Sequence, residues 1–189
     1  MSNPHARAEA GAIGFEKPLE ALSVTLQTYL ANNPPVACVI VSAVVVHNSR
    51  VLLVQRAATD GYPLAWENPG GTVDADDETL LHALGRELRE ETGLKMTRVL
   101  ALVDDATEFE GREGIWRKIT CLVEVEPNSD DGEKPPLVVL EPSEHQDYVW
   151  ASEADLDAGI VDGRPIKFAY EAQRKTTAVA FQIIKERGL

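Results

Sequence analysis

Between Asp77 and Thr92, leucines and glutamates place conflicting demands on a single helix. At about 100° per residue, Leu80, Leu81, Leu84 and Leu88 gather on one side, which must face a core. Glu87, Glu90 and Glu91 stand at i, i+3 and i+4 on the adjoining arc, and Glu91 overlaps the leucine stripe. Like charges at that spacing cost a helix roughly 0.2–0.5 kcal/mol per pair, and partial burial adds to the cost. A bound divalent cation removes the conflict, because carboxylate oxygens are the hard ligands that Mg²⁺ or Mn²⁺ prefers. Taken alone, the hexamer Arg86–Glu91 reads as an ordinary solvated charged face. Its surroundings reverse that reading.

The rest of the chain predicts strands with helices interleaved. Residues 1–15 read as a flexible leader, and apolar spacing at Leu19, Leu22, Leu26, Tyr29 and Leu30 predicts a helix over Lys17 to Asn32. Pro34 and Pro35 stop it. Strands are expected over Ala37 to His47 and Arg50 to Gln55, joined by a hairpin turn at Asn48-Ser49. The helix from Asp77 ends at Gly93. Further strands are expected at Arg98 to Asp104, Ile115 to Glu126 and Gln146 to Ala151. An acidic, Pro- and Gly-bearing loop over Pro127 to Pro136 separates the last two. Ser152 caps a short helix at Glu153 to Leu156, and a final helix spans about Pro165 to Arg187. This order suggests an α/β fold, a mixed β-sheet covered by α-helices.

From Gly70 to Leu94 the chain reads GGTVDADDETLLHALGRELREETGL. The segment resembles the Nudix box: a Gly, a Glu, then Arg-Glu-x-x-Glu-Glu-x-Gly with apolar residues interspersed. Gly71, Glu78, Arg86, Glu87, Leu88, Glu90, Glu91, Gly93 and Leu94 supply those elements. Val51 to Arg56 and Trp66 to Gly71 resemble the family's lead-in, and the likeness covers about Pro35 to Leu156. In one place the chain departs from the pattern. Six residues separate Gly71 from Glu78, where the pattern has five, and the extra one falls in Asp74-Ala75-Asp76-Asp77. Either Asp77 or Glu78 is then the first acid. The resemblance implies the Nudix fold over residues 35–189, with residues 1–34 a leader plus an N-terminal helical extension. That extension either packs on its own domain or mediates a homodimer.

The resemblance also implies chemistry. The expected reaction is attack of a metal-activated water on a diphosphate phosphorus, with Mg²⁺ or Mn²⁺ as cofactor. By that analogy the metal ligands are Glu87, Glu90, Glu91 and the Gly71 carbonyl, and Arg86 pairs with Glu78 to orient the helix's carboxylates. Glu144, in the loop before the strand that ends at Trp150, is the candidate base or additional ligand, with His145 as an alternative base. Glu90, Glu91, Glu144 and Arg86 thus form the expected catalytic set. Arg56 is the first candidate for holding a substrate phosphate, with Arg117 and Lys118 behind it. Trp66, Tyr62 and Phe109 are candidate stacking surfaces for a base, with a place in the core an equal alternative for Trp66.

Bulk properties narrow the partners. A net charge of −13 repels phosphate backbones, which argues against a nucleic-acid polymer; the small nucleotide-like substrate that the resemblance implies then needs its charge offset locally, as metal ions do. The longest apolar run, Val36 to His47, is too short to span a bilayer, and the N-terminus lacks a secretory core, so a cytoplasmic address is expected. Cys38 and Cys121 lie in apolar runs and read as buried, inert thiols. The lead-in looks most like MutT-type nucleoside triphosphate pyrophosphatases, within a family that cleaves diphosphate linkages in nucleoside diphosphate-linked compounds. The alternative is a Nudix-fold nucleotide-binding or regulatory protein with little or no turnover. Such proteins usually lack one or more box glutamates, whereas Glu87, Glu90 and Glu91 are all present.

Overall fold

The computed structural model describes residues 14, 15, 17–127 and 133–189. Almost all of the expected leader lies outside the described residues. In chain order the elements are β1 (Gly14–Phe15), a 3-10 turn (Lys17–Leu22), α1 (Leu26–Asn32), β2 (Val36–His47), β3 (Arg50–Arg56) and β4 (Trp66–Glu67). Then come α2 (Leu80–Thr92), β5 (Met96–Gly111), β6 (Gly114–Val125), β7 (His145–Ala151), α3 (Glu153–Ala158), β8 (Ile160–Val161), β9 (Arg164–Pro165) and α4 (Glu171–Arg187).

The main sheet is mixed. β1 pairs parallel with β5, β5 antiparallel with β6, and β6 parallel with β2. β2 and β3 form the expected hairpin, and Asn48 and Ser49 both adopt positive φ (47° and 57°), as a two-residue primed turn requires. β3 carries β4 and β7 as antiparallel neighbours.

Period-two alternation sends successive side chains to opposite faces, and each face has its own core. Val39, Val41, Ala43 and Val45 of β2, with Leu52 and Val54 of β3, pack against Leu80, Leu81, Leu84 and Leu88 of α2. Leu19, Leu22 and Tyr29 join this cluster, which places the 3-10 turn and α1 against the same domain. On the other face Val44, Val51, Leu53, Trp66 and Leu122 meet Ala180, Phe181 and Ile184 of α4 and Leu156 of α3. The expected mixed sheet between helices is the architecture observed.

Several boundaries differ from expectation, and the strand expected over Arg98 to Asp104 runs from Met96 to Gly111. The N-terminal helix is interrupted, because the Thr25 hydroxyl caps a fresh start at Leu26 by accepting from the Thr28 N–H. α2 begins at Leu80, three residues later than predicted, with the Thr79 side chain accepting from the His82 N–H. α4 begins at Glu171, because residues 160–165 form the small β8–β9 ladder.

The feature that builds the site is a gap between β2 and β3. They pair only at the hairpin end, Val46 with Val51 and His47 with Arg50, and the segment 69–73 occupies the space beyond. There the Ala43 N–H donates to the Pro69 carbonyl (2.8 Å), the Val41 N–H to the Gly71 carbonyl (2.9 Å), and the Val73 N–H to the Val39 carbonyl (3.0 Å). Gly70, at φ 150°, lies so close to β2 that a Cβ there would overlap the Val41 carbonyl and stand 2.6 Å from Ser42 Cα. Gly70→Ala is therefore expected to destabilise the protein by about 3 kcal/mol, the cost of an unrelieved overlap. For a chain of this length that is a drop of roughly 6–12 °C in Tm, readable in a thermal melt.

Candidate active site

The gap delivers the glutamates of α2 to a cleft of about 880 Å³ on the α4 side of the sheet. Its floor comes from alternate strand positions: Ile40 of β2, Lys118 and Thr120 of β6, and Asp104 and Thr107 of β5. Glu87, Glu91, Glu144, His145, Glu67 and Arg56 close one end. Exposed aromatics also line the cleft: Tyr62 and Tyr170, edge to face at 4.8 Å between centroids, and Phe109.

Glu91 is the most constrained acid. It is 5% exposed, and Oε2 accepts from the Gly70 N–H at 2.7 Å. Burial pushes its carboxyl up to about 9, and Glu67, Glu144 and Glu87 add to the rise while the Gly70 N–H opposes it. Glu87, also raised by burial, keeps an Arg86 hydrogen bond of 2.8 Å. Ligand atoms of Glu91, Glu144 and His145 lie within 4.8 Å of one another. A buried acid surrounded by carboxylates, with one N–H for a partner, fits a divalent cation well. The Gly71 carbonyl, although it accepts from Val41, retains a second lone pair beside Glu87. Glu90 stands apart from this group. Its side chain is 61% exposed, bonds Arg86 at 3.1 Å, and does not line the cleft.

Arg86 answers the question the extra residue raised. Its Nε and Nη2 both donate to the Asp77 carboxylate, at 2.9 and 2.8 Å, and Nη2 also reaches the Thr72 carbonyl at 3.1 Å. Burial would raise the Asp77 carboxyl, but Arg86 outweighs it and holds the group below the usual range. Glu78, the expected partner, is 74% exposed and lies 3.7 Å from His82. The acid that pairs with Arg86 is Asp77.

The other expected residues divide. Arg56 lines the cleft, donating to Glu67 at 2.6 Å and pairing with Asp60, while its buried Nε has no partner among the described residues. Phe109 stands at the rim, 44% exposed. Trp66 does not stack on anything in the cleft: it is 1% exposed in the α4-side core and its indole N–H donates to the Pro165 carbonyl at 3.0 Å. Arg117 points to the opposite face of the sheet, bonding Glu108 (2.6 Å), the Asn33 side chain (2.8 Å) and the Tyr29 hydroxyl (3.2 Å). The next residue, Lys118, takes the place expected for Arg117. It is half-buried in the cleft, where desolvation lowers its affinity for a proton while Glu67 and Glu91 pull the other way.

Sequence reasoning passed over Glu67 and Asn68. Glu67 is buried, and although burial raises its carboxyl, His145 and Arg56 together hold it below the usual range. Asn68 is 4% exposed; its Oδ1 accepts from the Thr177 hydroxyl at 2.9 Å, and its Nδ2 has no partner among the described residues.

Known proteins agree with this architecture. CTP pyrophosphohydrolase of Escherichia coli (strain K12) is 37% identical over 73 residues, covering 39% of this chain and 53% of that protein. The match thus spans about half the length of that relative. The solution structure of the E. coli ORF135 protein superposes with a TM-score of 0.57 at 25% identity, over 79% of this chain and 91% of that one. MutT NUDIX hydrolase from Burkholderia pseudomallei gives 0.54 at 23% identity, over 74% and 94%. The sequence profile of the NUDIX domain matches residues 37–171, strand, box helix and cleft together, and the chain belongs to the Nudix family.

Proposed function

We propose that the protein is a divalent-metal-dependent pyrophosphohydrolase that cleaves a diphosphate linkage in a nucleoside triphosphate, with CTP the first substrate to test. The observation that carries this is the convergence of Glu91, Glu144 and Glu87 at the end of a cleft that also holds Arg56 and Lys118. A site with both carboxylates and cations suits a polyphosphate whose charge is shared between metal and protein. The likeness to CTP pyrophosphohydrolase supports the choice of substrate.

Glu91, Glu144 and Glu87 would hold the cation. When bound, it supplies neutralisation of the phosphoryl oxygens and lowers the pKa of a coordinated water. Arg86, clamped to Asp77 and Glu87, holds α2 and Glu87 in place. Arg56 and Lys118 receive the non-reacting phosphoryl oxygens. Water adds to one phosphorus, the bridging P–O bond breaks, and the proton lost by water passes to Glu144. The products are a nucleoside monophosphate and pyrophosphate. Tyr62, Tyr170 and Phe109 face the base from the rim.

The test is release of nucleoside monophosphate and pyrophosphate from CTP, dCTP, the other nucleoside triphosphates, oxidised dGTP, ADP-ribose and diadenosine polyphosphates, with Mg²⁺ or Mn²⁺. Metal-dependent cleavage of a triphosphate to these two products is expected. Binding without turnover across the panel would replace the proposal with the regulatory reading.

The contrast between neighbours on β6 gives a sharper check. Lys118→Gln is expected to raise KM for the triphosphate about 10–100-fold, the loss of one charge-assisted contact of roughly 1.5–3 kcal/mol. Arg117→Ala should leave KM unchanged and lower Tm instead. Equal kinetic effects from both would sink the assignment of the cleft face.

A further inference from the structure

His145 is 3% exposed, and its two ring nitrogens have different surroundings. Nε2 lies 3.2 Å from Oε1 of Glu67, a carboxylate that also accepts from Arg56 at 2.6 Å. An ionised carboxylate can only accept, so the ring N–H sits on Nε2 and the neutral imidazole carries its lone pair on Nδ1. Nδ1 is buried and, among the described residues, has no hydrogen-bond partner. The ring also belongs to the group whose ligand atoms lie within 4.8 Å of one another, with Glu91 and Glu144. Two donors facing each other across a divalent ion stand roughly 4.2–4.6 Å apart, so a small closure brings these groups into coordination.

We propose that His145 is a nitrogen ligand, through Nδ1, of the divalent cation held by Glu91 and Glu144, with Glu67 as the carboxylate that fixes the ring. The assignment rests on the reading of this site as metal-dependent and extends it. A ligating histidine characteristically donates its other ring N–H to a carboxylate, which sets tautomer and orientation, and Glu67 and His145 form that arrangement. The backbone holds both residues to it. β3 lies between β4 and β7, so Glu67 opposite Val54 and His145 opposite Arg56 approach one another from the two sides of one strand. An orphaned buried nitrogen costs free energy when nothing occupies it, and the cation removes that cost. Imidazole suits borderline ions better than Mg²⁺, so the site should prefer Mn²⁺ or Co²⁺ to Mg²⁺ more strongly than an all-oxygen site would.

The experiment is pulsed electron paramagnetic resonance of the full chain loaded with Mn²⁺. Expected is ¹⁴N modulation from a directly coordinated nitrogen, replaced by a ¹⁵N signature when histidine is labelled. His145→Gln should abolish it and weaken Mn²⁺ binding at least tenfold. Glu67→Gln should weaken Mn²⁺ binding about 10–100-fold, the usual effect of losing such an outer partner. The chain has four histidines. Should His145→Gln not fold, a His5→Gln, His47→Gln, His82→Gln variant keeps His145 alone and must retain the modulation. Mn²⁺ bound with oxygen-only coordination while triphosphate is still cleaved would overturn the histidine assignment and leave the hydrolase standing. No Mn²⁺ binding and no metal-dependent cleavage would overturn both.

Discussion

Glu91→Gln is expected to lower kcat for diphosphate hydrolysis by about a thousandfold while leaving the metal-free protein as stable as the parent or more so. The two halves of this expectation have one cause. Glu91 stands on the arc of α2 that also carries the core leucines, and the fold buries it to 5% exposure near the carboxylates of Glu67, Glu87 and Glu144. For stability alone such an acid is a poor choice. An amide keeps the shape, can still accept from the Gly70 N–H through its oxygen, and turns its NH₂ toward the neighbouring carboxylates. The substitution removes the cost of keeping a buried acid there, whose carboxyl burial pushes up to about 9 in the metal-free fold. In the proposed mechanism it removes a charged ligand from the cation, whose contribution to the transition state is several kcal/mol. At 1.36 kcal/mol per factor of ten, about 4 kcal/mol is a thousandfold. Steady-state kinetics with saturating Mg²⁺ and a thermal melt without metal check both halves. Unchanged kcat would remove Glu91 from the metal site. A large fall in Tm would mean the carboxylate is there for the fold.

The box helix could be read from sequence because its signal is local. Leu80, Leu81, Leu84 and Leu88 repeat with the helical period, and the placing of Glu91 within their stripe follows from the same arithmetic. The sheet and its covering helices could be read for the same reason. What stayed hidden depends on which strands meet. Alternation on β6 requires Arg117 and Lys118 to point opposite ways, but only the parallel register with β2 decides which faces the cleft. Arg117 then falls beside α1, and Lys118 falls on the floor beneath the glutamates. Trp66 next to a glycine turn looks like a stacking surface, and its burial follows from an isolated parallel bridge to Phe168 and a bond to the Pro165 carbonyl, about a hundred residues away. Glu67 and His145 are 78 residues apart and meet because β4 and β7 flank β3. No spacing within either segment points to the other.

Asp77→Asn should cost far more than Glu78→Gln, although the Nudix pattern, applied by residue type, predicts the reverse. The physical reason is the residue added between Gly71 and the first acid. The loop uses Asp77 to close itself: Asp77 Oδ2 accepts from the Asp74 N–H at 2.8 Å, and the carboxylate takes two hydrogen bonds from Arg86. The side chains are 8% and 27% exposed, so the pair is neither a surface bridge nor a fully buried one. Breaking a buried pair costs about 3–5 kcal/mol, and partial exposure of Arg86 puts this one nearer 2–3 kcal/mol once solvent screening is allowed for. In a chain of this size that is a fall of roughly 4–12 °C in Tm. Activity should fall too, by about 10–100-fold, as when an outer partner of a metal ligand is lost, because the Arg86 released from Asp77 is the one that holds Glu87. Glu78 is largely exposed and pairs with His82 at 3.7 Å, so Glu78→Gln should leave Tm and kcat within error. Two melts and two kinetic runs separate the cases. A damaging Glu78→Gln beside a silent Asp77→Asn would mean that the loop closes around Glu78 in solution. The expected order would show that the lengthened loop moves the acid's place in sequence by one residue and keeps its place in space.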